Sequence, residues 1–147
     1  MRQNKYDEAI QLCNQVLQNL KAYNSPSNQQ IFYWSYYLKG QSNYNSGRYD
    51  EAIKSFEESI KYDPKCVSRY AYLCQCYFLT QQYDFALKYS EVVLNSDKYE
   101  YFPAFIDIKV RSLIKLNREI EAKKFLKDLM NQYLNSKLFP RMKQDCY

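Results

Sequence analysis

The side chains best suited to chemistry in this sequence are five cysteines, at positions 13, 66, 74, 76 and 146. The sequence contains no histidine, so the commonest general base and a frequent metal ligand are both absent. It also contains no CxxC pair. The sequence therefore gives no support for a zinc site, which without histidine would need four converging thiolates. An odd number of cysteines at irregular spacing does not suggest a disulfide framework. We therefore expect no metal site and a reducing compartment, the cytoplasm, with a cytoskeletal or organelle-associated complex left open.

Other catalytic patterns are missing as well. There is no glycine-rich phosphate loop and no GxSxG motif, and the acidic residues fall mainly at predicted helix starts, where capping explains them. The net charge is +5, but lysine and arginine alternate with acids along the chain. That pattern favours a solvated helical surface over a nucleic-acid patch. No run of about 20 apolar residues predicts a membrane span. We expect a protein that is not an enzyme and needs no cofactor.

The stretch from Tyr36 to Pro64 predicts two short helices separated by a turn. Gly47 is placed to end the first helix with a positive φ, and Asp50 begins the second, where a carboxylate complements the helix dipole. Pro64 prevents the second helix from continuing. One face of this second helix is apolar, because four residues recur at helical spacing: Ala52, Ile53, Phe56 and Ile60.

This stretch resembles the tetratricopeptide repeat family. The family pattern has an alanine, an aromatic residue four positions later and a proline eight positions after that, which here are Ala52, Phe56 and Pro64. Gly40 stands in the glycine column, where a missing side chain allows another helix to approach closely. Asn43 replaces the expected tyrosine, so we expect unusual packing at that position.

The signature returns with the family's period. Tyr49, Asp50 and Ala52 recur 34 residues later as Tyr83, Asp84 and Ala86. This spacing of 34 residues is the length of one tetratricopeptide unit. Cys74 takes the glycine column of this next unit, and Asn117 later stands where Gly47 stood. The resemblance implies an all-α, right-handed solenoid of antiparallel helix pairs, with about three and a half units and seven helices.

The N-terminal segment repeats the start of a second helix, because KYDEAI matches RYDEAI at residues 48–53. We divide the single solenoid, 1–147, into an orphan second helix (1–21), a loop (22–30), three repeats (31–66, 67–100 and 101–136) and a capping segment or tail (137–147). The expected helix at 7–21 would expose apolar residues, namely Ile10, Val16, Leu17 and Leu20. Either upstream sequence or a neighbouring surface would cover them.

The resemblance implies a concave groove lined by the first helix of each repeat. The columns that face such a groove predict eight binding residues: Trp34, Tyr37, Gln41, Tyr44, Tyr72, Gln75, Phe78 and Arg111. In this interpretation the aromatic rings contact apolar side chains of a ligand, and the two glutamines bond its peptide groups. The alternative is that these aromatic residues pack the helices together, since the sequence has 17 tyrosines.

The best-known ligand of the family is the acidic C-terminal tail of cytosolic chaperones, held by a clamp of lysine, asparagine and arginine. The clamp columns here hold different residues: Tyr37, Gln41, Tyr72, Ala104 and Ile108. Moving the register down one repeat places Ala71, Gln75 and Ile108 there instead. The sequence therefore argues against an acidic tail.

Two functions remain open from the sequence. One is an adaptor that binds a partner's peptide or helix in the groove, and the other is a structural subunit built permanently into a larger assembly. RNA binding is a weaker third possibility, because the repeats carry no regular base-reading pair and no strong basic stripe.

Overall fold

The computed structural model describes residues 2–22, 28–96 and 102–135, and every regular element in these ranges is an α-helix. Each helix packs on the next one along the chain, so the helices form an all-α solenoid of consecutive pairs. This confirms the predicted fold class. The seven helices are α1 (Arg2–Ala22), α2 (Gln29–Asn45), α3 (Tyr49–Tyr62), α4 (Val67–Leu79), α5 (Tyr83–Leu94), α6 (Phe102–Lys115) and α7 (Glu119–Asn135).

The turns inside the three helix pairs share one backbone geometry. Each has a residue with positive φ two positions after the end of the first helix: Gly47 at 78°, Gln81 at 61° and Asn117 at 57°. The amide that follows bonds back five residues, for example from Arg48 N–H to the Asn43 carbonyl at 2.9 Å. These are Schellman motifs, which satisfy the last carbonyl groups of a helix. The geometry predicted for Gly47 and Asn117 is confirmed.

Close helix contacts follow the predicted columns. Ala52 and Ala86 are fully buried, and Ala122 is 4% exposed. A Cβ atom at Gly40 would lie only 2.7 Å from the Phe56 ring, so the glycine makes room for the aromatic side chain. One period later the glycine column holds the larger Cys74 and the Phe56 column holds the smaller Ser90, both fully buried. In the α2–α3 pair the large side chain is on the second helix, whereas in the α4–α5 pair the larger of the two residues is on the first helix.

The first helix begins five residues before the predicted start, at Arg2, and one side of it is covered by this chain. Cys13 and Leu17 are buried where α1 packs on α2. Leu17 therefore needs no upstream segment or other chain to be buried, since the next repeat covers it. Leu12 and Val16 lie outside this contact and are 63% and 39% exposed.

The last helix is also covered on one side. Two apolar residues of α7, Leu126 and Met130, are 39% and 63% exposed, because α6 covers only part of this helix. Leu134, near the end of α7, is also 57% exposed. The capping segment predicted at 137–147 and residues 23–27 of the predicted loop lie outside what the structure describes. Among the described helices, none has the length and apolar character needed to cross a membrane.

Candidate protein-binding groove

Helices α2 and α4 place aromatic rings beside one another on one surface. Tyr72 of α4 lies between two tyrosines of α2, with ring centroids 6.1 Å from Tyr37 and 5.2 Å from Tyr44. We call the surface formed by these three tyrosines with Gln41 and Gln75 the α2–α4 groove. It contains a cavity of about 320 Å³ lined by Tyr37, Tyr44, Ser68, Ala71, Tyr72, Gln75 and Phe105. The structure thus brings together five of the eight residues predicted from sequence.

The two glutamines of the groove differ in the hydrogen bonds that their side chains make. The Gln41 amide donates hydrogen bonds to the Tyr37 and Tyr72 hydroxyls, each at 3.0 Å. Both N–H donors of Gln41 are therefore used inside the protein. This geometry favours a role in holding the two tyrosines over the predicted role of hydrogen bonding to a ligand. Gln75 is half-buried and lines the cavity. Its side chain makes no hydrogen bond to any residue that the structure describes, so its amide is available to a ligand.

The Tyr37 and Tyr44 hydroxyls of the groove are uncharged at neutral pH. Burial raises the pKa of Tyr37, and the charge that Tyr72 would carry if ionised raises it further. Burial likewise raises the pKa of Tyr44, with smaller contributions from its neighbours. Since neutral phenols both donate and accept hydrogen bonds, they can pair with the peptide groups of a bound chain.

The other three predicted residues do not line the cavity. Trp34 is 46% exposed and meets Tyr37 edge to face at 5.8 Å, so it extends the aromatic surface along α2. The Arg111 guanidinium lies over the Phe78 ring at 4.8 Å. Arg111 also pairs with Asp107 at 3.3 Å, which neutralises part of its charge.

Tyr72 contributes to both the groove and the core. Its ring stacks on Phe56 at 4.9 Å with an angle of 10° between the planes, and Phe56 is fully buried. Tyr72 also lines the cavity. Packing and binding are therefore not exclusive interpretations for this residue, and replacing Tyr72 would disturb both.

Sequence reasoning missed Arg69, which is fully buried on α4. Its guanidinium lies 3.8 Å from the centre of the Tyr33 ring, and Nη1 donates to the Asp63 carbonyl at 2.8 Å. We had expected the basic residues to be solvated. A signal was present, because Arg69 precedes the buried residues Leu73 and Cys76 by four and seven positions and so shares their helix face.

The fold and the groove together define an α-solenoid repeat protein. Residues 34–66, which span nearly all of the α2–α3 pair, match the model of the tetratricopeptide repeat. The chain thus contains a tetratricopeptide repeat at residues 34–66, where the sequence resemblance placed one. Repeats of this family generally mediate protein–protein interactions. A search of curated proteins found no match to the chain.

Proposed function

We propose that this chain is a non-catalytic adaptor that binds a peptide or helix of a partner protein in the α2–α4 groove. The observation that carries the proposal is the cavity of about 320 Å³ between α2 and α4. Its walls combine half-buried tyrosine rings with one amide, that of Gln75, which has no partner among the described residues. Sites that bind peptides commonly pair rigid apolar walls with a few polar groups that fix orientation.

The lining of the cavity indicates the ligand's chemistry. None of the seven lining residues is charged, and Arg111, which was also predicted to bind, is paired with Asp107. The cavity therefore lacks the positively charged side chains that hold the carboxylates of acidic tails. We therefore expect apolar anchor side chains in the ligand and affinity that changes little with salt concentration.

The test is selection of peptides from a random 16-residue library on the purified protein, followed by affinity measurements on synthetic hits. Trp34→Ala is the informative variant, because its side chain is 46% exposed and belongs to the aromatic surface of α2. Phe85→Ala is a matched control: it removes an aromatic residue that is 47% exposed and also contacts another ring, but lies on α5. Thermal melts of both variants check that the fold is retained.

We expect Trp34→Ala to weaken binding by ~2 kcal/mol, about thirtyfold, as is typical when an aromatic anchor is removed. Phe85→Ala should leave the affinity within about twofold of the wild type. Equal losses in the two variants, or selected peptides that depend on a free acidic C-terminus, would contradict the proposal.

A structural subunit of a larger assembly is the second candidate, favoured by the apolar residues left uncovered on the described end helices. Leu12 on α1 and Met130 on α7 are each 63% exposed. Exposed apolar surface of this kind often marks a contact with another protein. In this case Leu12→Lys should release the chain from a stoichiometric complex that Trp34→Ala leaves intact, as judged by size-exclusion chromatography.

For either function we propose a cytoplasmic location. The proposal is supported by the odd number and irregular spacing of the cysteines, and the four within the described residues are free thiols. Imaging of the tagged full chain would test it.

A further inference from the structure

Cys66 differs from the other cysteines that the structure describes. Cys13, Cys74 and Cys76 are buried, whereas Cys66 is partly exposed. It occupies the N-cap position of α4, directly before Val67, with extended backbone angles. Its sulfur lies 3.0 Å from the Ser68 hydroxyl oxygen. The positive end of the helix dipole and a nearby donor both favour a thiolate at such a position.

Arg69 provides a second, independent feature of this site. Its guanidinium is fully buried, and its Nε–H group has no acceptor among the described residues. The two Nη atoms pair with Asp63, which lies in the turn before α4. Arg69 lies three residues after Cys66, in the first turn of α4, so its positive charge favours the ionised thiol. A buried cation that is incompletely satisfied gains from a second anion beside it.

The balance of these effects favours the thiolate. Burial raises the pKa of the Cys66 thiol, but the hydrogen bond from Ser68 and the charge of Arg69 outweigh it, so the pKa lies below its ordinary value. The other titratable groups that face the site are the phenols of Tyr33 and Tyr37 on α2. In contrast, burial raises the pKa of both Cys74 and Cys76 to about 12.

We propose that Cys66 is a thiol-modification site that reacts with low-molecular-weight disulfides such as glutathione disulfide. In this exchange the Cys66 thiolate, having lost its proton to water, attacks one sulfur of the small disulfide. The disulfide's S–S bond breaks as a new bond forms between the Cys66 sulfur and the attacked sulfur. Cys66 is oxidised to a mixed disulfide, and the other half of the reagent leaves as a reduced thiolate.

The test uses the folded full chain and follows each cysteine separately by peptide mass spectrometry. Alkylation by iodoacetamide is measured across a pH series, and the mixed disulfide is measured after incubation with glutathione disulfide. We expect half-maximal alkylation of Cys66 below the value of a free cysteine, which is about pH 8.5. We also expect the mixed disulfide to form at Cys66 and not at Cys13, Cys74 or Cys76.

Ser68→Ala removes one donor at the sulfur while leaving Arg69 and the fold in place, which circular dichroism would check. This variant should raise the alkylation midpoint of Cys66 and slow its reaction at pH 7 several-fold. Ser96→Ala is the control, because Ser96 bonds the Val93 carbonyl, away from the site, and should leave both values unchanged. A Cys66 midpoint at or above the free-cysteine value, or an unchanged profile in Ser68→Ala, would overturn the proposal.

Discussion

At the residue scale, the fit between Gly40 and Phe56 shows how one missing side chain sets the spacing of a helix pair. A methyl group at position 40 would lie 2.7 Å from the ring, well inside normal contact distance. Gly40→Ala should therefore lower the free energy of unfolding by ~1–3 kcal/mol, as overpacking does in a dense core. Urea denaturation would measure this loss.

A double-mutant cycle provides the control for that prediction. In a Phe56→Leu background the ring is gone, so adding Gly40→Ala should destabilise the protein much less than it does in the wild type. Strictly additive effects of the two changes would show that the methyl group and the ring do not compete for the same space.

Gln81 allows a prediction of opposite sign. Its φ of 61° lies in the left-handed region, which disfavours residues that carry a Cβ, and its side chain is exposed. Gln81→Gly should raise the free energy of unfolding by ~0.5–1 kcal/mol. This net gain arises because relief of the backbone strain exceeds the cost of the greater conformational freedom that glycine has in the unfolded chain. The matched control is Gln82→Gly at φ −88°, where glycine brings no relief and should lower the melting temperature. A lower melting temperature for Gln81→Gly would contradict this account.

These residues also show what the sequence reveals and what it does not. Gly40, Gly47 and Asn117 could be assigned beforehand, because their small or turn-forming side chains are themselves the physical cause of the geometry. Gln81 could not, since glutamine carries no preference for positive φ, and only its place in the 34-residue period pointed to the turn. Arg69 was missed because burial of an arginine depends on Tyr33 and Asp63, which lie on other elements.

At the element scale, the apolar columns predicted which helix faces meet, but they could not predict which ends are covered. The period placed Ala52 and Ala86 in close contacts because small residues recur where helices approach. In the groove, the same columns brought Tyr37 and Tyr72 together. They could not show that Gln41 bonds both hydroxyls, since that depends on distances between two different helices.

Ala86→Leu tests the predicted register of α4 and α5. Ala86 is fully buried, and its carbonyl accepts a hydrogen bond from the Cys74 sulfur at 3.3 Å, so there is no room for a larger side chain. The substitution should lower the free energy of unfolding by ~1–3 kcal/mol. Phe85→Leu on the neighbouring exposed position should change the thermal melt far less. An unchanged melting temperature for Ala86→Leu would show that the register is wrong.

At the scale of the whole molecule, the stacked pairs place α2 and α4 side by side, and this arrangement creates the cavity that no single helix could form. One of its walls, Phe105, comes from a column that was not assigned to binding, because the depth of a cavity depends on how neighbouring repeats are inclined. The described end helices leave apolar residues exposed, so a partner could instead attach at α1 or α7. The adaptor and subunit proposals therefore predict contacts on different helices.

Hydrogen–deuterium exchange with and without a saturating selected peptide distinguishes these surfaces most directly. Binding stabilises the elements that contact the ligand, so their amides exchange more slowly. If the α2–α4 groove binds the peptide, protection should be concentrated in Gln29–Asn45 and Val67–Leu79. Protection confined to Arg2–Ala22 or Glu119–Asn135, with α2 and α4 unchanged, would contradict the groove and favour attachment at the end helices.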